Sequence, residues 1–306
     1  MTSTILSPLD GSPVAESVLP YLLSLSKGLK ASVVFAYVVA PDHLRVESPE
    51  HRASLDQLQQ SAEAAIHEYL EEKAGPFRKE GVTAETTVLY GGDGPADTLL
   101  EYEQQQTLGL IALATHGRSG VQRLFLGSVA DRLVQRARTP LFLVRPGAEP
   151  AEPATPMQSL VVPLDGSDLA ANALPLVEDL AKALDLPVML LRILPQGPPY
   201  SVGPQLYPYP ADLLQYSELA ALRDLKATAD GLRSRSVTVQ WEVRFGDPGP
   251  AIIEYAARTP GAVTIIATHG RSGPGRWPLG SVASKIVRAS ANPVVVIRPT
   301  PHHPNN

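Results

Sequence analysis

Cysteine is absent from the 306-residue chain, which excludes disulfides, thiolate metal sites, iron–sulfur clusters and cysteine nucleophiles. A basic excess is also lacking. The 26 Lys and Arg face 31 Asp and Glu, a net charge of −5, so there is no electropositive footprint for a phosphate backbone and nucleic acid is not an expected partner. Long apolar runs are missing too: the longest, Val33 to Ala40, spans 8 residues and is far too short to cross a membrane. Met1-Thr2-Ser3-Thr4 has no basic leader segment, and the expectation is a cytoplasmic protein with no membrane role. What remains is an ordinary folding composition, 44% hydrophobic and 19% charged, long enough for two domains with separate cores.

Two domains are what the chain's self-similarity predicts. Ser7-Pro8-Leu9-Asp10-Gly11-Ser12 returns as Val162-Pro163-Leu164-Asp165-Gly166-Ser167, and Ala114-Thr115-His116-Gly117-Arg118-Ser119-Gly120 returns unchanged as Ala267 to Gly273. Proline, 30 in all, collects around 146–163 and 195–210. The first cluster marks the linker. The expected division is a first domain at 1–148, a Pro/Ala/Glu linker at 149–157, a second domain at 158–299 and a tail at 300–306. Pro195 to Pro210, with six prolines, is expected to be a surface loop or an interaction segment.

Each copy alternates strand and helix. Thr4 to Leu9 reads as a strand. A helix capped by Ser12 follows, with Val14, Val18, Leu22, Leu25 and Leu29 on one stripe, and Val33 to Val39 is the continuous apolar run of a strand buried on both faces. The pattern continues with helix 54–79, strand 82–89, helix 95–105, strand 108–114, helix 128–138 and strand 141–144. The second copy repeats it, with its first helix placed at 174–184 and its third at 250–258. Such alternation predicts an α/β fold with a parallel sheet, right-handed crossovers and helices on both faces.

In such a sheet, ligands sit beyond the carboxyl ends of the strands at the point where strand order reverses. Asp10 and Asp165 follow the first strands and suit either a turn or a ligand contact. His116-Gly117 and His269-Gly270 follow the fourth strands. A histidine there serves either acid–base work or a backbone hydrogen bond. After nine intervening residues come Gly127-Ser128 and Gly280-Ser281, opening helices whose N–H groups can receive phosphate or simply be capped. The glycines allow positive φ and close backbone approach. Arg118, Arg123, Arg271, Arg276 or a divalent cation would balance phosphate charge. The spacing is not a Walker loop, and there is no nucleophile elbow, metal-spaced histidine cluster or G-x-G-x-x-G.

These residues resemble the universal stress protein family, in its tandem form, over nearly all of residues 1–299. Its nucleotide-binding members carry Gly, two residues, Gly, nine residues, Gly-Ser or Gly-Thr, with Asp ending the first strand. Asp10, Gly117, Gly127 and Ser128 match, as do Asp165, Gly270, Gly280 and Ser281; Ala114 and Ala267 replace the first glycine. The resemblance implies two Rossmann-like, adenine nucleotide alpha hydrolase-like open sheets of five parallel strands, order 3-2-1-4-5, paired through Leu141 to Val144 and Val294 to Ile297 as an internal pseudo-dimer. It also implies ATP with Mg²⁺ as cofactor, with Asp10 and Asp165 near adenine or ribose and Val38 and Ile193 on the base. Gly117, Gly127, Ser128 and Val129, with Gly270, Gly280, Ser281 and Val282, would hold ribose and phosphates, joined by His116, Arg118, His269 and Arg271. Pro274, Trp277 and Pro278 alter the second loop by adding bulk and removing N–H donors.

The implied function is an ATP-binding stress-response or signalling module, monomeric or a homodimer of tandem chains, without strong catalytic activity. The alternatives are an interaction scaffold of the same fold that binds no nucleotide, and a weak ATPase or adenylating enzyme using Asp10 and His116.

Overall fold

The β-branched apolar runs become parallel strands in the computed structural model, which describes residues 4–39, 49–115, 126–145, 155–195, 200–202, 205–207, 211–268 and 279–298. The chain divides into two compact units, Met1–Glu152 and Pro153–Asn306.

The first unit contains β1 (Thr4–Pro8), α1 (Pro13–Glu16), α2 (Leu19–Leu29), β2 (Ser32–Val39), α3 (Pro49–Lys79), β3 (Ala84–Tyr90), α4 (Pro95–Gln105), β4 (Leu108–Ala114), α5 (Ser128–Arg136) and β5 (Leu141–Val144). All strand pairs are parallel. Pro8 lies opposite Ala36, Val33 opposite Ala84, Ile5 opposite Leu110 and Ile111 opposite Leu141, which gives the order β3-β2-β1-β4-β5. Leu6, Phe35, Ile111, Leu133 and Phe142 are fully enclosed between the sheet and its helices. Phe77 of α3 meets the Phe35 ring edge-on at 5.0 Å between centroids.

The second unit contains β6 (Ser159–Pro163), α6 (Asp168–Ala171), α7 (Leu174–Leu184), β7 (Val188–Leu194), β8 (Tyr200–Val202), β9 (Gln205–Tyr207), α8 (Ala211–Arg233), β10 (Val239–Phe245), α9 (Pro248–Arg258), β11 (Ala262–Ala267), α10 (Ser281–Ala289) and β12 (Val294–Ile297). Its main sheet runs β10-β7-β6-β11-β12, again all parallel, with Pro163 opposite Leu191 and Val294 opposite Thr264.

Three features differ from the sequence expectation. The helix after the first strand of the first unit is broken in two, because Pro20 stands in the first turn of α2, and in the second unit a short α6 precedes the expected helix at 174–184, which Pro175 opens. A proline ring there clashes with the carbonyl four residues back and cannot continue the preceding helix. The third expected helix of the second unit starts at Pro248 instead of 250, so the length difference between the copies lies before that helix. Gly91-Gly92-Asp93-Gly94 connects β3 to α4, whereas Gly246-Asp247 alone connects β10 to α9. Finally, the 195–210 segment contains a small antiparallel hairpin in place of a simple loop, pairing Tyr200 with Tyr207.

Candidate functional site

In each unit the strand order reverses between β1 and β4, or between β6 and β11, and the chains leaving the two strands run in opposite directions. A crevice opens there by topology alone.

One wall is the turn after the first strand. Asp10 Oδ1 accepts hydrogen bonds from the Ser12 amide at 2.9 Å and the Ser12 hydroxyl at 2.6 Å, and Ser12 Oγ accepts from the Ala15 amide at 3.1 Å to cap α1. Asp165, Ser167 and Ala170 repeat this at 2.9, 2.6 and 3.2 Å. The turn role weighed for both aspartates is therefore present. Gly11 and Gly166 carry φ of 82° and 86°, a left-handed conformation that favours glycine. These two glycines, legible in the repeated Asp-Gly-Ser, were not among the expected site residues.

The facing wall is the start of α5 or α10. Thr115 continues the sheet by donating its amide to Val144 O at 2.8 Å, and its own carbonyl accepts from the Gly127 amide at 2.7 Å. Thr268, Ile297 and Gly280 do the same at 2.8 and 2.7 Å. This one hydrogen bond seats the helix beside the end of the strand. Asp131 and Ser284 close the first intrahelical bonds onto Gly127 O and Gly280 O, both at 2.8 Å. The amides of Ser128, Val129 and Ala130, and of Ser281, Val282 and Ala283, precede that first bond and lack intrahelical acceptors, which makes each helix start favourable for an anion. Gly127 and Gly280 have φ of −59° and −60°, so the positive φ expected of the loop glycines is not used at these two positions. Any residue adopts such a φ; the positive values occur at Gly11 and Gly166 instead.

In the second unit the walls enclose a cavity of about 360 Å³, within the size range of small-ligand pockets. Asp165, Ile193, Gly280, Ser281 and Val282, all expected site residues, line it together. Leu194, Ile252 and Ile286 supply apolar surface, suited to a flat ring, while Ser281 and the amides of the helix start supply the polar end. Arg192 also lines it and is buried. Sequence reasoning passed over Arg192, although it is the one charge in the apolar run 188–194.

The first unit places Asp10 and Val38, both half-buried, at the ends of β1 and β2, with Gly127, Ser128 and Val129 at the start of α5. Beside the Asp10 turn, the Tyr69 hydroxyl donates to Glu16 Oε1 at 3.0 Å. Burial, followed by the Glu16 and Asp10 charges, pushes this phenol well above its ordinary value and keeps it a donor. His116, Gly117, Arg118, Arg123, His269, Gly270, Arg271 and Arg276 lie outside the described residues, as do Pro274, Trp277 and Pro278.

Among the described residues no group of three or more His, Asp or Glu side chains could hold a metal ion, and no helix is long and apolar enough to cross a membrane. The donors present suit a nucleotide: apolar surface for a base and amides for phosphate. A magnesium ion carried in by phosphates needs few protein carboxylates.

The fold defines an open α/β protein with a crevice where the strand order reverses. The chain matches the profile of the universal stress protein family at residues 1–145 and again at 157–298, and it belongs to that family. It is 28% identical over 267 residues to the universal stress protein Rv1996 of Mycobacterium tuberculosis, spanning 86% of this chain and 80% of that protein. A single-length universal stress protein from Thermus aquaticus is 31% identical over 147 residues, 47% of this chain and all of that one. The solved universal stress protein of Archaeoglobus fulgidus shares the fold at a TM-score of 0.70 and 19% identity, covering 96% of this chain and 98% of that one.

Proposed function

We propose that this universal stress protein binds adenine nucleotide, ATP with Mg²⁺, and acts in the cytoplasm as a nucleotide-dependent stress-response module that signals through conformation or partners, as a monomer or a homodimer, rather than as an enzyme. The observation that carries this reading is the second unit's cavity, which Asp165, Ile193 and the Gly280-Ser281 helix start line together. The base lies against Ile193 and Leu194, and the phosphates take the amides at the start of α10, where the helix dipole favours negative charge. The corresponding residues of the first unit, Asp10, Val38, Gly127, Ser128 and Val129, form the second half of the same proposal.

The test is calorimetric titration of ATP and Mg²⁺ into protein freed of nucleotide by unfolding and refolding. Saturable heat is expected, and the paired substitution Gly117→Glu and Gly270→Glu removes it while leaving the circular dichroism spectrum intact. Absence of heat and of thermal stabilisation at millimolar ATP would overturn the reading and favour a scaffold. The hairpin pairing Tyr200 with Tyr207 in the second unit is the observation that supports that scaffold reading.

A further inference from the structure

Each unit ends on one side in an outer strand. Among the described residues β3 pairs only with β2, and β10 only with β7. Along a strand, successive residues turn their N–H and C=O alternately toward one neighbour and the other. Thr83 O accepts from the Val33 amide and Thr238 O from the Val188 amide, both at 2.8 Å, so these two carbonyls face inward. Ala84 and Val239, the next residues, therefore turn outward, followed by Thr86 and Val88 in β3 and by Trp241 and Val243 in β10. Such an outward row of backbone groups is a template for another strand.

Neither row is bare where it starts. Arg78, in the last turn of α3, donates from Nε to Ala84 O at 2.8 Å, and Arg233, in the last turn of α8, donates from Nη2 to Val239 O at 2.6 Å. The two helices end by the same turn, Val82 N–H donating to Phe77 O and Val237 N–H to Leu232 O, so the arginines hold equivalent positions. What steadies each guanidinium is different. Glu71 clasps Arg78 through two hydrogen bonds of 2.5 and 3.2 Å, and the Thr86 hydroxyl holds Glu71 at 2.8 Å. Arg233 lies over the Trp241 ring, 4.6 Å from its centroid, with Asp230 at 3.6 Å. Positions 71 and 86 have become Lys226 and Trp241, yet the arginine still sits on the same carbonyl. A strand added to either edge would lie about 4.8 Å from it, in the space that the guanidinium fills. Pairing there means displacing a charged group from its carbonyl and its support.

We propose that Arg78 and Arg233 are edge guards, which keep the outer strand of each unit from pairing with an outer strand of a second copy of this chain. A second copy is the occupant to be kept out, because a backbone edge is complementary to itself and every chain carries two. Lysine and proline guard edges by making them hostile to pairing; here an arginine from the preceding helix reaches over and occupies the first open acceptor.

The experiment measures the mass of the full chain by light scattering and sedimentation as its concentration rises from micromolar toward millimolar, for wild type, Arg78→Ala, Arg233→Ala and the double variant. The double variant is expected to reach at least about twice the mass of wild type, the least that pairing of copies gives, with each single variant between the two. Circular dichroism checks that the fold is kept. If an alanine variant unfolds, Arg78→Gln or Arg233→Gln, which retains most of the side-chain stem, replaces it. A further change identifies the surface: Val88→Pro and Val243→Pro added to the double variant. These two amides point outward and serve no ladder bond, so proline removes donors from the edge alone and is expected to restore the wild-type mass. Where proline costs the fold, Val88→Lys and Val243→Lys set like charges along the edge to the same end. A double variant whose mass follows that of wild type at every concentration, or association that the edge substitutions leave intact, overturns the proposal.

Discussion

The two units share a strand order, an aspartate turn and a glycine-seated helix, yet they differ in the side chains that stand behind the turn. In the first unit, Tyr69 donates to Glu16, and Glu16 also meets Lys73 at 3.2 Å, so the turn is backed by a neutral ring and a peripheral ion pair. In the second, Ala171 corresponds to Glu16, and the buried Arg192 stands over Gly166 with Asp224 beyond it. The lesson is that duplication preserved the backbone devices and let the charges behind them diverge. Backbone hydrogen bonds such as Gly127 to Thr115 depend on chain path, whereas the groups behind the turn depend on single side chains that can be exchanged within one unchanged frame.

The most severe way to test the sameness of the frames is to excavate matched core positions. Leu70→Ala and Leu225→Ala, both at fully buried sites, are each expected to cost about 2–5 kcal/mol, and to cost nearly the same. Chemical denaturation of the two variants checks this; a difference of several kcal/mol would show that the frames are packed differently.

A smaller effect sharpens the divergence. Alanine at Gly11 or Gly166 must adopt positive φ, which costs about 1–2 kcal/mol in either unit. At Gly166 the new methyl also falls within 2.8 Å of Arg192 Nη1 and forces that side chain to move. Thermal unfolding is therefore expected to show Gly166→Ala as the more damaging change, and equal losses would remove the special role of the guanidinium there.

The smallest effect is a pH dependence centred on Glu71 of the first unit. Arg78 and Thr86 hydrogen-bond Glu71 and hold its carboxyl down from 4.5 to about 2. Position 226 in α8, its counterpart, is lysine. A carboxylate whose folded value lies below its unfolded one gives its full stabilisation above pH 4.5 and loses it as pH falls toward 2. Because the pair is about half exposed, solvent and salt reduce this to a few tenths of a kcal/mol. Glu71→Gln is expected to flatten the acid side of the stability profile by that amount, as chemical denaturation across acidic pH would show.

Much of this architecture was legible in the sequence, because periodicity and repetition report on the backbone. The strands 108–114, 141–144, 188–194 and 294–297 lie where apolar runs placed them. The Asp-Gly-Ser turns and Gly-Ser helix starts were legible as well, since few residue types meet those backbone demands. Other features were not. Pro20 looked compatible with one continuous helix because the apolar stripe runs through the break. The placement of α9 was misread because Pro248 and Pro250 are equally good first-turn residues, and only the short Gly246-Asp247 connection decides between them. Arg192 escaped notice because a strand pattern averages over its members, while the meaning of that residue comes from Gly166 and Asp224, distant in sequence and adjacent only once the sheet has formed.

The hydrogen bond from the helix-capping glycine back to the end of the fourth strand carries one more consequence. The chain leaves the framework at Thr115 and returns at Gly127, and leaves again at Thr268 and returns at Gly280, through a doorway of 2.7 Å each time. The helix start is thereby tied to the end of the strand by backbone atoms, which every residue type supplies. Evolution can rewrite the stretch between as one exchanges a tool in a fixed handle. The second copy, with Pro274, Trp277 and Pro278 in that stretch, has kept the handle and changed the tool.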